Sequence, residues 1–131
     1  MNRELSPVEI GNIGEKYTTK FLRRKGYKII ERNMRNFYSE IDIIAENKEY
    51  IVFVEVKTRT SGQMLPPRAA VNSTKRNKII LAAEAYLNKY PTKKAIRFDV
   101  AEVYLFADKK KVDNINYIEN AFEGRRRYAS F

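Results

Sequence analysis

A chain of 131 residues that is 44% hydrophobic has the size and composition of one folded domain with a buried core, not of a disordered segment. Its 26 Lys and Arg against 16 Asp and Glu leave a formal net charge of +10, which favours an anionic partner, nucleic acid before membrane. With neither Cys nor His, it excludes thiol nucleophiles, zinc fingers, Ser-His-Asp triads and histidine-based nucleases.

No Gly-rich phosphate loop followed by Lys-Ser/Thr is present, so the remaining chemical tools are carboxylates, lysines, arginines, hydroxyls and a borrowed metal ion. No run is apolar and long enough to span a membrane, and the first residues lack the apolar core of a signal peptide. The absence of cysteine suits a reducing compartment, so the expected location is cytoplasmic, with no membrane partner. There is no internal repeat or linker, and the chain divides into one domain over 1–124 and a basic tail over 125–131.

Taken in order, Ser6-Pro7-Val8-Glu9 is a helix start, with Ser6 as cap, Pro7 in the first turn and Glu9 reaching back. Ile10, Ile13, Tyr17 and Phe21 follow at helical spacing, and Gly26 is the stop. A first strand is predicted over Tyr27–Asn33, and two more over Glu40–Ala45 and Phe53–Arg59. Gly62 to Pro67 reads as a loop. A second helix is predicted from Asn72 or Ser73 through Ile79, Ala83, Tyr86 and Leu87 towards Tyr90. Ile96–Phe106 alternates as a fourth strand, Lys109-Lys110-Lys111 is an exposed turn, and Ile115–Phe122 is either a last strand or irregular. Helix, three strands, helix and strand give an α/β protein with a central mixed sheet flanked by helices. Tyr17, Phe21, Phe98 and Phe106 read as core aromatics, and Arg97 with Asp99 as a structural ion pair on one strand face.

The second and third strands carry the chemical signal. Both alternate polar and apolar residues, and the link around Asn47-Lys48 is short enough for a hairpin. Taking Glu46 and Glu49 as the residues flanking the turn sets Ile44 opposite Ile51, Asp42 opposite Phe53 and Glu40 opposite Glu55. Glu40, Asp42, Glu55 and Lys57 then share one face, and Ile41, Ile43, Val52, Val54 and Val56 the other. Asp42 and Glu55 become diagonal neighbours, on the order of 7–8 Å apart at the backbone, close enough to share a cation. Ionised acids side by side repel, so folding alone gives little reason to cluster them, whereas a divalent metal does. Hard carboxylate ligands point to Mg²⁺ or Mn²⁺.

An acidic residue on one strand and Glu-x-Lys on the next, within an αβββαβ order, resembles the restriction-endonuclease-like PD-(D/E)xK nucleases. The likeness narrows to the YraN-like bacterial family through Gly14-Glu15, Gly26-Tyr27, Arg32-Asn33, Glu40-Ile41-Asp42, Phe53-Val54-Glu55-Val56-Lys57-Thr58-Arg59, Lys75, Arg97-Phe98-Asp99-Val100 and Asn120-Ala121-Phe122. Archaeal Holliday-junction resolvases share the same core, including Gly and Glu on the first helix. Ser39 stands where the YraN-like pattern usually has Gly, and no proline precedes Asp42.

The resemblance implies a restriction-endonuclease-like core in which Asp42, Glu55 and the backbone carbonyl of Val56 hold Mg²⁺ or Mn²⁺. Lys57 would orient the attacking water or neutralise charge on the phosphorane, and Glu15 would bind a second ion or position water. Thr58 and Arg59, at the end of the strand, are candidates for phosphates beside the scissile bond; Lys75 faces either that cleft or solvent. Arg125-Arg126-Arg127-Tyr128 reads equally well as a nucleic-acid grip or as a disordered tail. The expected activity is metal-dependent phosphodiester hydrolysis on DNA in preference to RNA, with branched and single-stranded forms among the open substrates. The alternatives are a catalytically inactive nucleic-acid-binding protein that keeps the fold and, further off, a basic RNA-binding accessory protein. Symmetric cleavage of two strands usually needs two sites, which leaves a homodimer open.

Overall fold

Ser6 opens the first helix as predicted: its hydroxyl accepts the Glu9 N–H, and the Glu9 carboxylate accepts the Ser6 N–H. Pro7 takes the first helical position, where a missing N–H costs nothing. Helix α1 runs Pro7–Arg24 and stops at Gly26, whose φ of +92° favours glycine. This computed structural model describes residues 4–60, 72–108 and 110–124. The loop predicted over 62–67, Lys109 of the lysine turn, and the Arg125-Arg126-Arg127-Tyr128 segment lie outside the described residues.

The remaining elements are β1 (Lys28–Arg35), β2 (Glu40–Glu46), β3 (Tyr50–Thr60), α2 (Ser73–Lys89), β4 (Ala95–Leu105) and β5 (Val112–Phe122). The five strands form one sheet in sequence order. Among the described strands, only β3 and β4 pair in parallel, and they are the two joined through a helix, as a parallel crossover demands. The result is the expected α/β architecture, a mixed sheet whose αβββαββ order contains the αβββαβ arrangement and is consistent with a restriction-endonuclease-like core. The segment left open at 115–122 is part of a full edge strand, β5.

The helices cover opposite faces. Ile10, Ile13, Tyr17, Phe21 and Leu22 of α1 pack on Ile43, Val52, Val54 and Val56. Ile79, Ile80, Ala83, Tyr86 and Leu87 of α2 pack on Ile44, Ile51, Phe53 and Phe98. A central strand buried on both faces reads as an apolar run, which is why Ile51–Val56 is buried throughout, Glu55 included.

Three expectations are corrected. The hairpin turn is flanked by Asn47 and Tyr50, not Glu46 and Glu49, because the Asn47 side chain accepts the N–H groups of both Glu49 and Tyr50 and sets the two-residue turn one position further along the chain. Ile44 therefore pairs with Phe53 rather than Ile51, a two-residue shift that preserves which face each side chain takes. Ile41 does not join Ile43 on the α1 face; it packs with Met34 and Ile44 on the α2 side, so alternation breaks at Asp42. Phe106 is 49% exposed rather than core, since it lies just beyond the end of β4.

Two local arrangements hold the layers in place. Gly14 of α1 lies so close to Thr58 of β3 that a Cβ there would overlap the Thr58 hydroxyl, whereas a Cβ at Gly11 meets nothing. On β4, Arg97 and Asp99 form the predicted ion pair, but buried: Arg97 Nε and Nη2 donate to the two Asp99 oxygens at 2.9 and 2.8 Å. Asp99 also accepts from the Tyr117 hydroxyl at 2.6 Å and the Asn120 N–H at 2.9 Å. Burial tends to lower the Arg97 pKa, yet the bonds to Asp99 and Tyr27 outweigh it and the net shift is upward.

Gly14→Ala should cost roughly 1–3 kcal/mol by overpacking, while Gly11→Ala should be neutral or stabilising by up to about 1 kcal/mol; urea unfolding of the two variants distinguishes them. Asp99→Ala should cost about 3–5 kcal/mol by stranding a buried guanidinium, against roughly 1–3 kcal/mol for Tyr117→Phe. Equal losses for the two would mean that the ion pair is not what the network depends on.

Candidate functional site

The site forms where β2 parts from β3. Their ladder runs from Glu46↔Ile51 to Ile43↔Val54. The next bonded step of an antiparallel ladder would take the Val56 N–H to the Ile41 carbonyl. The Val56 N–H donates instead to Asp42 Oδ2 at 2.8 Å. A side chain thus replaces the backbone acceptor, and the strands open beyond it. Continuing the observed register sets Asp42 across from Glu55 rather than diagonal to it, and the two carboxyls share a hydrogen bond. The N–H and C=O of one strand residue point the same way, so the Val56 carbonyl faces the same opening.

Glu55 is buried on the α2 side with Phe53, and Lys57 follows it on the same face, half-buried. Lys75 comes from the first turn of α2, whose N-cap Asn72 accepts the Lys75 N–H. Its ammonium lies 3.3 Å from Glu55 Oε2. Glu15 approaches from α1: Arg32 Nη2 is 3.9 Å from its Oε1, an atom that is buried without a hydrogen bond. Asn33, with φ +52°, bonds the Glu15 side chain from β1. The structure thus brings Asp42, Glu55, Lys57 and Lys75 together, with Glu15 close enough for its charge to act on Asp42.

Thr58 points the other way, its hydroxyl buried against Gly14 without a hydrogen-bond partner, so it is removed from the acidic pair. Arg59 follows Lys57 on the α2 face, and one of its guanidinium nitrogens is buried with no protein acceptor. Sequence reasoning passed over Glu102. The parallel register sets it beside Lys57, and it is 1% exposed on the α2 face, accepting a bond from Asn116 Nδ2 at 2.9 Å. An acid inside the otherwise apolar run Val100-Ala101-Glu102-Val103 was the available signal.

Burial raises Asp42 to about 8, reinforced by the hydrogen bond to Glu55 and the Glu55 charge and opposed by the Val56 N–H and Lys75. Burial also raises Glu15, with the Asp42 charge adding and Arg32 subtracting. Lys57 is lowered by burial and then by its neighbour Lys75. Lys75 is raised: burial opposes the shift, but the Lys57 amine and Glu55 both stabilise its ammonium. The two amines in this opening have therefore drawn apart, Lys75 holding its proton more tightly than Lys57.

The donors suit a hard divalent cation. Asp42 and Glu55 supply carboxylate oxygens, Val56 a carbonyl, and the Asp42–Glu55 repulsion now damped by a proton is what a dication would relieve. Among the described residues no group of three acidic side chains gathers for a metal, so such an ion would keep water or phosphate oxygens in its other positions.

Because the folded-state pKa of Asp42 lies above its ordinary value of 3.8, ionising it costs stability: its contribution is complete below about pH 4 and is lost as pH rises through about 8. Asp42→Asn, which cannot ionise, should remove that part of the pH dependence in urea unfolding of chelated protein. A variant profile parallel to wild type would mean that this carboxyl titrates normally.

Comparison with known proteins agrees along most of the chain. A family model described as Uncharacterised protein family UPF0102 matches residues 14–103, a span that includes Glu15, Asp42, Glu55, Lys57 and Lys75 and stops before Arg125-Arg126-Arg127. A UPF0102 protein of Caldanaerobacter subterraneus subsp. tengcongensis is 42% identical over 121 residues, 92% of this chain and 99% of that one. One from Caldicellulosiruptor saccharolyticus is 44% identical over 115 residues, 87% and 97% of the two chains. Another, from Clostridium acetobutylicum, is 45% identical over 114 residues, 86% and 93% of the two chains. With a family model over more than half its length and near full-length relatives above 40% identity, the chain belongs to the UPF0102 family.

Proposed function

We propose that this protein is a divalent-metal-dependent nuclease of the restriction-endonuclease-like kind that hydrolyses phosphodiester bonds in DNA. The observation that carries this reading is the Asp42–Glu55 pair at the opened ladder, with Val56 N–H on Asp42 and two lysines beside it. Mg²⁺ or Mn²⁺ held by Asp42, Glu55 and the Val56 carbonyl would supply positive charge to the scissile phosphate and lower the pKa of the attacking water.

The chain's own residues divide the remaining work. Lys57, its pKa lowered, is suited to hold the attacking water through a lone pair or to pass a proton to the departing oxygen. Lys75 keeps its proton, balances Glu55, and presents a cation to a neighbouring phosphate. Arg59, with an unsatisfied guanidinium nitrogen on the same face, is suited to the next phosphate along. Glu15, raised by burial, is an outer acid that orders water near Asp42. The net charge of +10 holds the backbone without reading bases.

One observation favours a second reading. Lys75 Nζ at 3.3 Å already gives Glu55 a cation, and the shared hydrogen bond satisfies Asp42, so the cluster can stand without a metal. A nucleic-acid-binding protein that keeps the fold without cleavage would use it in that closed form.

A cleavage panel of duplex, single-stranded and branched DNA with RNA, in Mg²⁺, Mn²⁺ or EDTA, tests both readings. Metal-dependent cleavage of DNA is expected; Asp42→Asn and Glu55→Ala should abolish it, and Lys57→Ala should lower kcat on the order of 10²–10³-fold. Binding in EDTA should survive Asp42→Asn or improve, since one charge repelling phosphate is gone. Tight binding with no cleavage of any substrate would favour the binding protein, and activity unchanged in Glu55→Ala would identify a contaminant.

A further inference from the structure

The turn joining β1 to β2 presents two aromatic rings to solvent. Phe37 is 94% exposed and Tyr38 44% exposed, and their rings meet edge to face at 5.3 Å. Isolated exposed apolar residues are ordinary, but a paired Phe-Tyr at the tip of a four-residue turn is not what turn chemistry selects. The turn is also rigidly built. Asn36 N donates to the Ser39 carbonyl at 3.1 Å, and the Asn36 side-chain oxygen accepts the N–H groups of Tyr38 at 3.0 Å and Ser39 at 3.4 Å. The Asn36 amide then donates to the Ala82 carbonyl of α2 at 3.0 Å, tying the tip to the helix that carries Lys75. The backbone that carries Phe37 is thus ordered before any base stacks on the ring, so less freedom is lost on binding.

The surroundings choose the occupant. Arg35, with its side chain 78% exposed and its Nη1 3.7 Å from Glu40 Oε2, precedes the turn, and Lys78, one helical turn before Ala82, is exposed. Cations flanking aromatic faces are the arrangement that holds a nucleic-acid strand by its phosphates while its bases stack. The turn leads directly into β2: Ser39 is three residues from Asp42, roughly 10 Å at strand rise, or about three nucleotide steps along one strand.

Resting on the nuclease reading above, we propose that the Phe37–Tyr38 turn is a stacking platform for unpaired DNA bases, so that the preferred substrate is single-stranded or branched DNA with bases free to leave the helix. Duplex DNA offers its stacked bases no access to the rings and is held through phosphates alone.

Because the chain contains no tryptophan, Phe37→Trp places a sole indole reporter at the tip. In EDTA, binding of the full chain to oligothymidylate, a four-way junction and a blunt duplex is measured by anisotropy, alongside indole emission and sedimentation. Phe37→Ala should weaken oligothymidylate and junction binding on the order of tenfold or more and leave duplex binding nearly unchanged. Phe37→Trp should keep wild-type affinity, with its emission quenched by oligothymidylate. Equal affinities for wild type and Phe37→Ala on all three DNAs, or indole emission unmoved by bound oligothymidylate, would overturn the platform while leaving phosphate-mediated binding and metal-dependent cleavage intact. Conversion of a dimer to a monomer by Phe37→Ala would also overturn it, by assigning the rings to a subunit contact. Failure of the wild type to bind any of the DNAs would sink the nuclease reading together with this one.

Discussion

One hydrogen bond organises the region around the acidic pair. When the Val56 N–H turns to the Asp42 carboxylate, the β2–β3 ladder ends earlier than the strand lengths allow. A ladder that continued would have consumed the backbone groups of Ile41 and Val56 and closed the sheet over this point. The side-chain acceptor instead keeps a buried N–H satisfied while the strands separate, and the separation admits groups from both layers. Glu15 comes from the α1 side, Lys75 from the α2 side, and Glu55 and Lys57 from β3 between them. The displacement of Ile41 to the α2 side follows from the same opening, since beyond Asp42 the strand is no longer held in its neighbour's alternation.

The fully buried Asp99 and the half-buried Asp42 show how differently a fold can treat a carboxylate. Asp99 has four donors around it, from Arg97 twice, Tyr117 and Asn120, and nothing remains for a ligand. It is a finished structural group that ties β4 to β5 and to Tyr27 at the foot of α1. Asp42, half-buried, has one backbone donor and another acid beside it, and its carboxyl is held above the usual carboxylate range. What separates the two sites is the number and charge of the donors around each carboxyl. A fold that can surround one acid completely and leaves another short of donors has left room beside the second for a cation, a proton or a phosphate.

Much of this was legible in the order of residues. Ser6-Pro7-Val8-Glu9 and Asn72-Ser73 carry their own capping chemistry, so the helix starts needed no tertiary information. The alternation in Glu40–Ala45 and Phe53–Lys57 assigned faces correctly to Asp42, Glu55 and Lys57 even with the register two residues off, since side-chain direction depends on parity alone. Composition by itself removed every chemistry that needs histidine or cysteine. Family membership follows from residues 14–103 taken together.

What only the folded chain decided is where distant segments meet. The turn at Asn47 depended on one side chain capturing two backbone N–H groups, a competition that a two-residue period cannot report. Lys75 faces either the cleft or solvent as far as sequence tells, until α2 crosses the sheet and sets it against Glu55, twenty positions away. Thr58 reads as a phosphate contact until Gly14 closes over it from α1. Glu102 reads as one acid in a strand until the parallel pairing of β3 and β4 sets it beside Lys57. Periodicity states which way a side chain points from its own strand or helix. Which partner it meets is determined by long-range packing of layers, and that information is distributed over the whole chain.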